Sequence, residues 1–174
     1  MKHFLYYCAN HPNSGVRFVA SDMILDLHSD ASYNSEPQSK IRAAGHYYIS
    51  KLNGEKFNKV TVLTLSNIIN HVMTSASDAE VAALFYNCKA PIPLRISLEK
   101  MVHHQPKTPI TTDNTTAQGI ITKTMILKRA KSYDVRFNFL KCREAKKQFD
   151  FIWRRGKDNR ADYHSKRHPV KHYI

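Results

Sequence analysis

Four carboxylates sit at the joints between predicted elements of a chain that carries 27 Lys and Arg against 14 Asp and Glu. Asp30 lies near the end of the alternating run 23–32, which predicts a strand closing in a turn of small residues. Glu80 follows Thr74-Ser75-Ala76-Ser77, a helix-start signal, and leads into Val81-Ala82-Ala83-Leu84-Phe85. Asp113 ends a second short strand and is followed at once by the capping types Asn114-Thr115-Thr116. Asp162 comes shortly after the aromatic strand Phe149-Asp150-Phe151-Ile152-Trp153. Carboxylates on strand ends and adjoining helix starts can converge on one spot. Converged, they repel and raise one another's pKa unless cations intervene. A fold that gathers strand ends would bring them together, with divalent metal as the natural counter-charge.

The 174 residues suit one domain with a two-layer core, and 42% hydrophobic content argues against wholesale disorder. A formal net charge of +13 points to a polyanionic partner, through attraction to phosphates and release of their counterions. Cys8, Cys88 and Cys142 are odd in number and widely spaced, with no Cys-x-x-Cys pair, so buried free thiols in a reducing compartment are expected. No apolar run is long enough to span a membrane, and the start, Met1 to Cys8, is too short and aromatic for a signal peptide. The reading is of a cytoplasmic or nuclear protein that is not secreted and has no membrane partner.

Along the chain, residues 1 to about 20 predict a short helix, a turn over 10–15 and a strand at 16–19. A strand from Met23 follows, then a polar excursion from Ser32 to Lys40 and a strand from Ile41 to Leu52. Asn53-Gly54 is a strong hairpin signal before a third strand, Val60 to Leu65. Ser77 to about Met101 has helical spacing, with Val81, Leu84, Phe85 and Cys88 on one face and Pro91-Ile92-Pro93 expected to bend or split it. Then come a loop at 103–106, a strand at 108–112, a short helix from Asn114, a basic link at 128–131 and a helix from Ser132 to Lys146 carrying Val135, Phe139 and Cys142 inward. A strand at 149–153 and a short helix at 160–165 complete an α/β arrangement.

The order Asp on a first strand, Glu on a first helix, Asp on a fourth strand and Asp on a last helix resembles the ribonuclease H superfamily. His28-Ser29-Asp30-Ala31-Ser32-Tyr33, Arg42 to Tyr48, Thr112-Asp113-Asn114-Thr115-Thr116-Ala117, Asp134-Val135-Arg136-Phe137 and Ala161-Asp162-Tyr163-His164-Ser165-Lys166 are similar to the ribonuclease H segment of copia-type LTR-retrotransposon polyproteins. The resemblance runs from about Met23 onward. It implies a mixed five-stranded sheet, three antiparallel strands then parallel ones, with helices on both faces. It also implies a division into a reverse-transcriptase connection tail at 1–21, the ribonuclease H-like domain at 22–166 and a basic tail at 167–174, the whole normally fused to reverse transcriptase. The implied activity is hydrolysis of the RNA strand of RNA–DNA hybrids with two Mg²⁺ ions, Mn²⁺ being a possible substitute. Asp30 is then the bridging ligand, Glu80 and Asp113 serve the ion at the leaving group, and Asp162 serves the ion that activates water.

Substrate contact is expected from other residues. Ser29, Ser32, Ser77, Asn114 and Thr115 are candidates for the RNA sugar-phosphate, and Lys128, Arg129, Lys131 and Arg136 for phosphates of the DNA strand. Tyr47 and Tyr48 read as core residues rather than stacking platforms. His164, His168 and His172 have helical spacing, but Pro169 breaks it, leaving a loose basic tail. The pattern departs from the family at His164 and Ser165, where an aromatic or apolar residue and Thr are usual. The alternative function is a catalytically decayed, basic nucleic-acid-binding module on the same fold.

Overall fold

The computed structural model describes residues 2–13, 15, 18–51, 61–122 and 134–166. Its centre is a five-stranded sheet built from β1 (Ile24–Glu36), β2 (Lys40–Ser50), β3 (Thr61–Ile69), β4 (Thr108–Thr112) and β5 (Phe149–Trp153), in the order β3-β2-β1-β4-β5. The first three strands pair antiparallel, and β4 pairs parallel with β1 and with β5. Six helices accompany it among the described residues: α1 (Lys2–Asn10), α2 (Ala76–Asn87), α3 (Pro91–Lys100), α4 (Thr115–Ile121), α5 (Asp134–Ala145) and α6 (Asp162–Ser165). The mixed sheet expected from the sequence is the one that forms.

Alternation along β1 assigns its two faces. Leu25, Leu27 and Ser29 point one way, and Leu27 meets Tyr47, Val81, Leu84, Ile110, Ile121 and Leu140 in the main core. Complete burial of such side chains stabilises by roughly 1.5–3 kcal/mol each. Tyr47 and Tyr48 are both buried, as expected, and the Tyr47 hydroxyl donates to the carbonyl of Asn87 at 2.8 Å. Asn87, ending α2, donates to Ser29 Oγ at 2.9 Å and to the Ala44 carbonyl at 2.7 Å. This close approach requires Gly45, where a Cβ would come within 2.8 Å of both Asn87 Oδ1 and the Tyr47 ring.

The opposite face of β1 carries Asp26, His28 and Asp30, and here the segment leading into α6 packs. The Arg160 amide donates to His28 Nδ1 at 3.0 Å, which fixes the proton on Nε2, 2.9 Å from the Tyr48 hydroxyl. Tyr48 in turn hydrogen-bonds Asp26. Burial holds His28 down at about 3, with the charges of His46, Arg154 and Arg160 adding to the effect, so the imidazole is neutral and the relay is one of neutral donors.

Local signals explain most boundaries. Ser75 caps α2 by accepting from the Asp78 amide at 3.1 Å, while Asp78 accepts from the Thr74 amide at 3.2 Å, a reciprocal arrangement that gives Asp78 a structural role. The prolines split the predicted long helix into α2 and α3, with Pro91 opening the second. Other expectations need correction. The polar stretch 32–40 is no excursion: β1 continues to Glu36, Pro37–Ser39 forms a single 3-10 turn, and Glu36 pairs with Lys40. Cross-strand pairing, not side-chain polarity, decides that segment. Phe18 and Val19 lie outside any strand, while Val16 and Arg17 fall outside the described residues, as do Asn53-Gly54 and Val60. On α5 the inward residue is Leu140, with Phe137 and Phe139 packed partly against the core, whereas Val135 and Cys142 face solvent. Only Cys88 is a buried thiol; Cys8 is exposed like Cys142. No helix among the described residues is long and apolar enough to cross a membrane.

Candidate active site

Three of the four carboxylates converge. One ligand oxygen each from Asp30, Glu80 and Asp113 lies within 4.8 Å of the others, a grouping able to hold a metal ion. Asp30 projects from β1 onto the polar face, where Ser165 Oγ donates to its Oδ2. Glu80 reaches in from the second turn of α2. Its Oε1 accepts from the Ala31 amide at 3.2 Å, while its buried Oε2 has no hydrogen-bond partner. Asp113 follows β4 directly, and its carbonyl accepts from Trp153 Nε1 at 2.8 Å. The cap of α4 is Asn114, whose side chain accepts from the Ala117 amide at 2.9 Å; Asp113 is thereby left free of capping. Gly156 packs against it, since a Cβ there would lie 3.0 Å from Asp113 Oδ2.

Electrostatics follow the geometry. Burial raises Asp30 to about 6, the Asp113 and Asp162 charges push the same way, and the Ser165 hydrogen bond and Lys166 oppose them. Glu80 is driven well above the usual carboxyl range, first by burial and then by the charges of Asp30 and Asp113. Asp113 is also raised, chiefly by burial. A buried carboxylate oxygen without a donor, beside two other carboxyls with raised pKa values, fits a cation as its partner. Oxygen-only donors suit a hard divalent cation such as Mg²⁺, Mn²⁺ or Ca²⁺.

Asp162 stands apart from the group of three. It opens α6 and pairs with Lys166 one turn on, though its charge acts on both Asp30 and Asp113. Burial works against the Lys166 charge, but the Asp162 hydrogen bond and the charges of Asp30, Asp162 and Asp113 outweigh it and raise the ammonium's pKa. Lys166 is thus a cation whose charge acts on all three carboxyls of the cluster.

The remaining candidates divide by exposure. Ser77 and Asn114 are half-buried and Thr115 is exposed, all within the helix starts beside the carboxylates. Ser29 is fully buried with its hydroxyl engaged by Asn87, and Ser32 is buried against Ser35, so neither presents a surface to a substrate. Ser29 shares the Leu25 and Leu27 face of β1, whereas Ser32 lies on the opposite face with Asp30. Arg136 is half-buried, its Nη1 3.5 Å from Met73 Sδ. Lys128, Arg129 and Lys131, like His168 and His172, lie outside the described residues. Asp26, on the same face as Asp30, is held by Tyr48 and does not join the cluster. Sequence reasoning overlooked Ser165 and Lys166. Their offsets of three and four from Asp162 put them on its side of a helix, which was the available signal.

No protein-family model matches the chain, and no curated protein matches it. Solved structures do. The N-terminal ribonuclease H domain of Rv2228c from Mycobacterium tuberculosis superimposes with a TM-score of 0.57 at 11% identity, covering 82% of this chain and 91% of that one. The fold is ribonuclease H-like. LC11-RNase H1, isolated from compost by a metagenomic approach, matches with a TM-score of 0.56 at 16% identity over 82% of this chain and 92% of its own. The same enzyme in complex with an RNA/DNA hybrid gives 0.58 at 14% identity, covering 80% and 91%. Identities this low speak to architecture, and the ribonuclease H-like sheet is what brings Asp30, Glu80 and Asp113 together.

Proposed function

We propose that this chain hydrolyses the RNA strand of RNA–DNA hybrids with the help of two Mg²⁺ ions, as the ribonuclease H segment of a copia-type retrotransposon polyprotein. The observation that carries the reading is the buried Asp30–Glu80–Asp113 group, gathered within 4.8 Å on a ribonuclease H-like sheet. One of the similar structures is an RNase H1 bound to an RNA/DNA hybrid, which supports hybrid as the substrate class.

Asp30, Glu80, Asp113 and Asp162 would hold the ions. Bound there, the metal supplies an activated water and charge stabilisation at the phosphorus and the departing 3′ oxygen. The chain's own groups orient these ligands. Ser165 fixes the Asp30 carboxylate, the Ala31 amide holds one oxygen of Glu80 and leaves the other open, and Trp153 braces the backbone of Asp113. Without metal, burial and then the charges of Asp30 and Asp113 push Glu80 well above the usual carboxyl range, which favours its protonated form. In this reading Ser77, Asn114 and Thr115 meet the 2′-hydroxyls by which a protein tells RNA from DNA. Lys128, Arg129, Lys131 and Arg136 serve the DNA strand's phosphates. Residues 1–21 are the tail of the connection to reverse transcriptase, and the protein works in a cytoplasmic particle or the nucleus.

Mg²⁺-dependent release of label from an RNA–DNA hybrid, with double-stranded RNA and DNA as controls, tests this directly. Cleavage confined to the hybrid and abolished by Asp113→Asn is the expected result. Hybrid binding without any metal-dependent cleavage would establish a decayed module instead.

A further inference from the structure

Beside the carboxylate group lies a cavity of about 720 Å³ lined by Trp153, Arg154, Arg155, Lys157, Asp158 and Arg160. Four cations against one carboxylate make it strongly positive. Its walls are tied to the active site by three contacts. Trp153 Nε1 donates to the Asp113 carbonyl at 2.8 Å, the Arg154 amide donates to the Thr112 carbonyl at 3.0 Å, and Gly156 abuts Asp113 Oδ2. The cavity therefore keeps a fixed position relative to Asp113.

Its cations are of two kinds. Arg154 and Arg160 are half-buried, and their charges act on the polar face of the sheet, on His28 and Tyr48, with Arg154 also acting on Asp26. Arg155 and Lys157 are exposed, one on either side of Gly156. The indole of Trp153 is 43% exposed at the same place, a flat apolar surface next to positive charge. Cations flanking an exposed aromatic suit a nucleic-acid strand, with phosphates on the former and a sugar or base against the latter.

We infer that this cavity receives the phosphates flanking the cleavage point on the strand that lies across Asp113, with Arg155 and Lys157 as the principal phosphate contacts. The inference rests on the hydrolase reading and adds to it a phosphate-binding surface on the β5–α6 connection. A strand held there is aligned by the same segment that braces Asp113.

Trp153 is the single tryptophan of the chain, so its fluorescence reports on the cavity without labelling. The full chain is titrated with a short RNA–DNA hybrid in EDTA across a salt series, following Trp153 emission and the anisotropy of the hybrid, and cleavage in Mg²⁺ is measured in parallel. The comparison is between R155A/K157A and K100A/K107A, which removes equal charge from exposed positions near α3 and the start of β4. Hybrid is expected to change Trp153 emission in the wild type. R155A/K157A is expected to flatten the plot of log affinity against log salt by about two units, at about 0.9 per phosphate contact, with K100A/K107A leaving it unchanged. Equal slopes for the two double variants, or emission unmoved while anisotropy reports binding, overturn the cavity assignment and leave the hydrolase reading intact if cleavage persists. A wild-type chain that neither binds nor cuts hybrid overturns both.

Discussion

Replacing Asp30 with Asn should stabilise the metal-free protein in alkaline solution and remove its response to Mg²⁺. Asp30 is 2% exposed, and burial raises its pKa from 3.8 to about 6. At about 1.4 kcal/mol per factor of ten, the ionised form is about 3 kcal/mol costlier in the folded chain than in the unfolded one. The folded pKa is the higher, so Asp30's contribution is fully favourable below 3.8 and is lost as pH rises through about 6. Asparagine never ionises and can still accept from Ser165. In EDTA the variant should exceed the wild type by about 3 kcal/mol at pH 8, the gap shrinking to under about 1 kcal/mol near pH 4. Millimolar Mg²⁺ should reverse the order at pH 8 by stabilising only the wild type, through mass action on the folded state. Urea denaturation at five pH values, with and without Mg²⁺, measures both effects. A gap independent of pH, or a variant less stable than the wild type at pH 8 in EDTA, would refute the reasoning.

Further outcomes follow from neighbouring contacts. Asp113→Asn should leave urea stability within about 0.5 kcal/mol while cleavage falls by orders of magnitude, because Asn114 caps α4; Asn114→Ala should instead cost about 1 kcal/mol of stability. Gly45→Ala drives a methyl into Asn87 and Tyr47 and should lower stability by about 1–3 kcal/mol, seen as a reduced thermal midpoint. His46 is held at about 4 by burial, helped by the charges of His164 and Arg160, so its contribution is present above 6.5 and lost as pH falls toward 4. His46→Phe can keep the stack on the His164 ring and should flatten the acid limb of a stability-against-pH curve by up to about 3 kcal/mol.

Much of this was legible in the chain. Alternation in 23–32 fixed which residues of β1 share a face, Pro91 fixed the break between α2 and α3, and serine and asparagine marked the starts of α2 and α4. Such signals act within a few residues, where backbone dihedrals and nearby hydrogen bonds dominate. The four acids picked out by their order include the three, Asp30, Glu80 and Asp113, that the fold gathers. Reading α5 was less successful, because its inward residue depends on how the helix rolls against the sheet, and Leu140 rather than Cys142 met the core.

What the tertiary structure alone decided are contacts between residues far apart in sequence. Ser165 orients Asp30 across 135 positions, and the Arg160 amide sets the His28 tautomer across 132. The separation of Asp162 from the close trio, and its pairing with Lys166, depend on where the short α6 comes to rest on the polar face of the sheet. Burial is likewise a property of the assembled molecule. The same aspartate that titrates near 3.8 in a loose chain rises to about 6 once β2, α2 and α6 exclude water from it. Sequence supplies the charges; packing sets what it costs to keep them, and hence how strongly the site demands a cation.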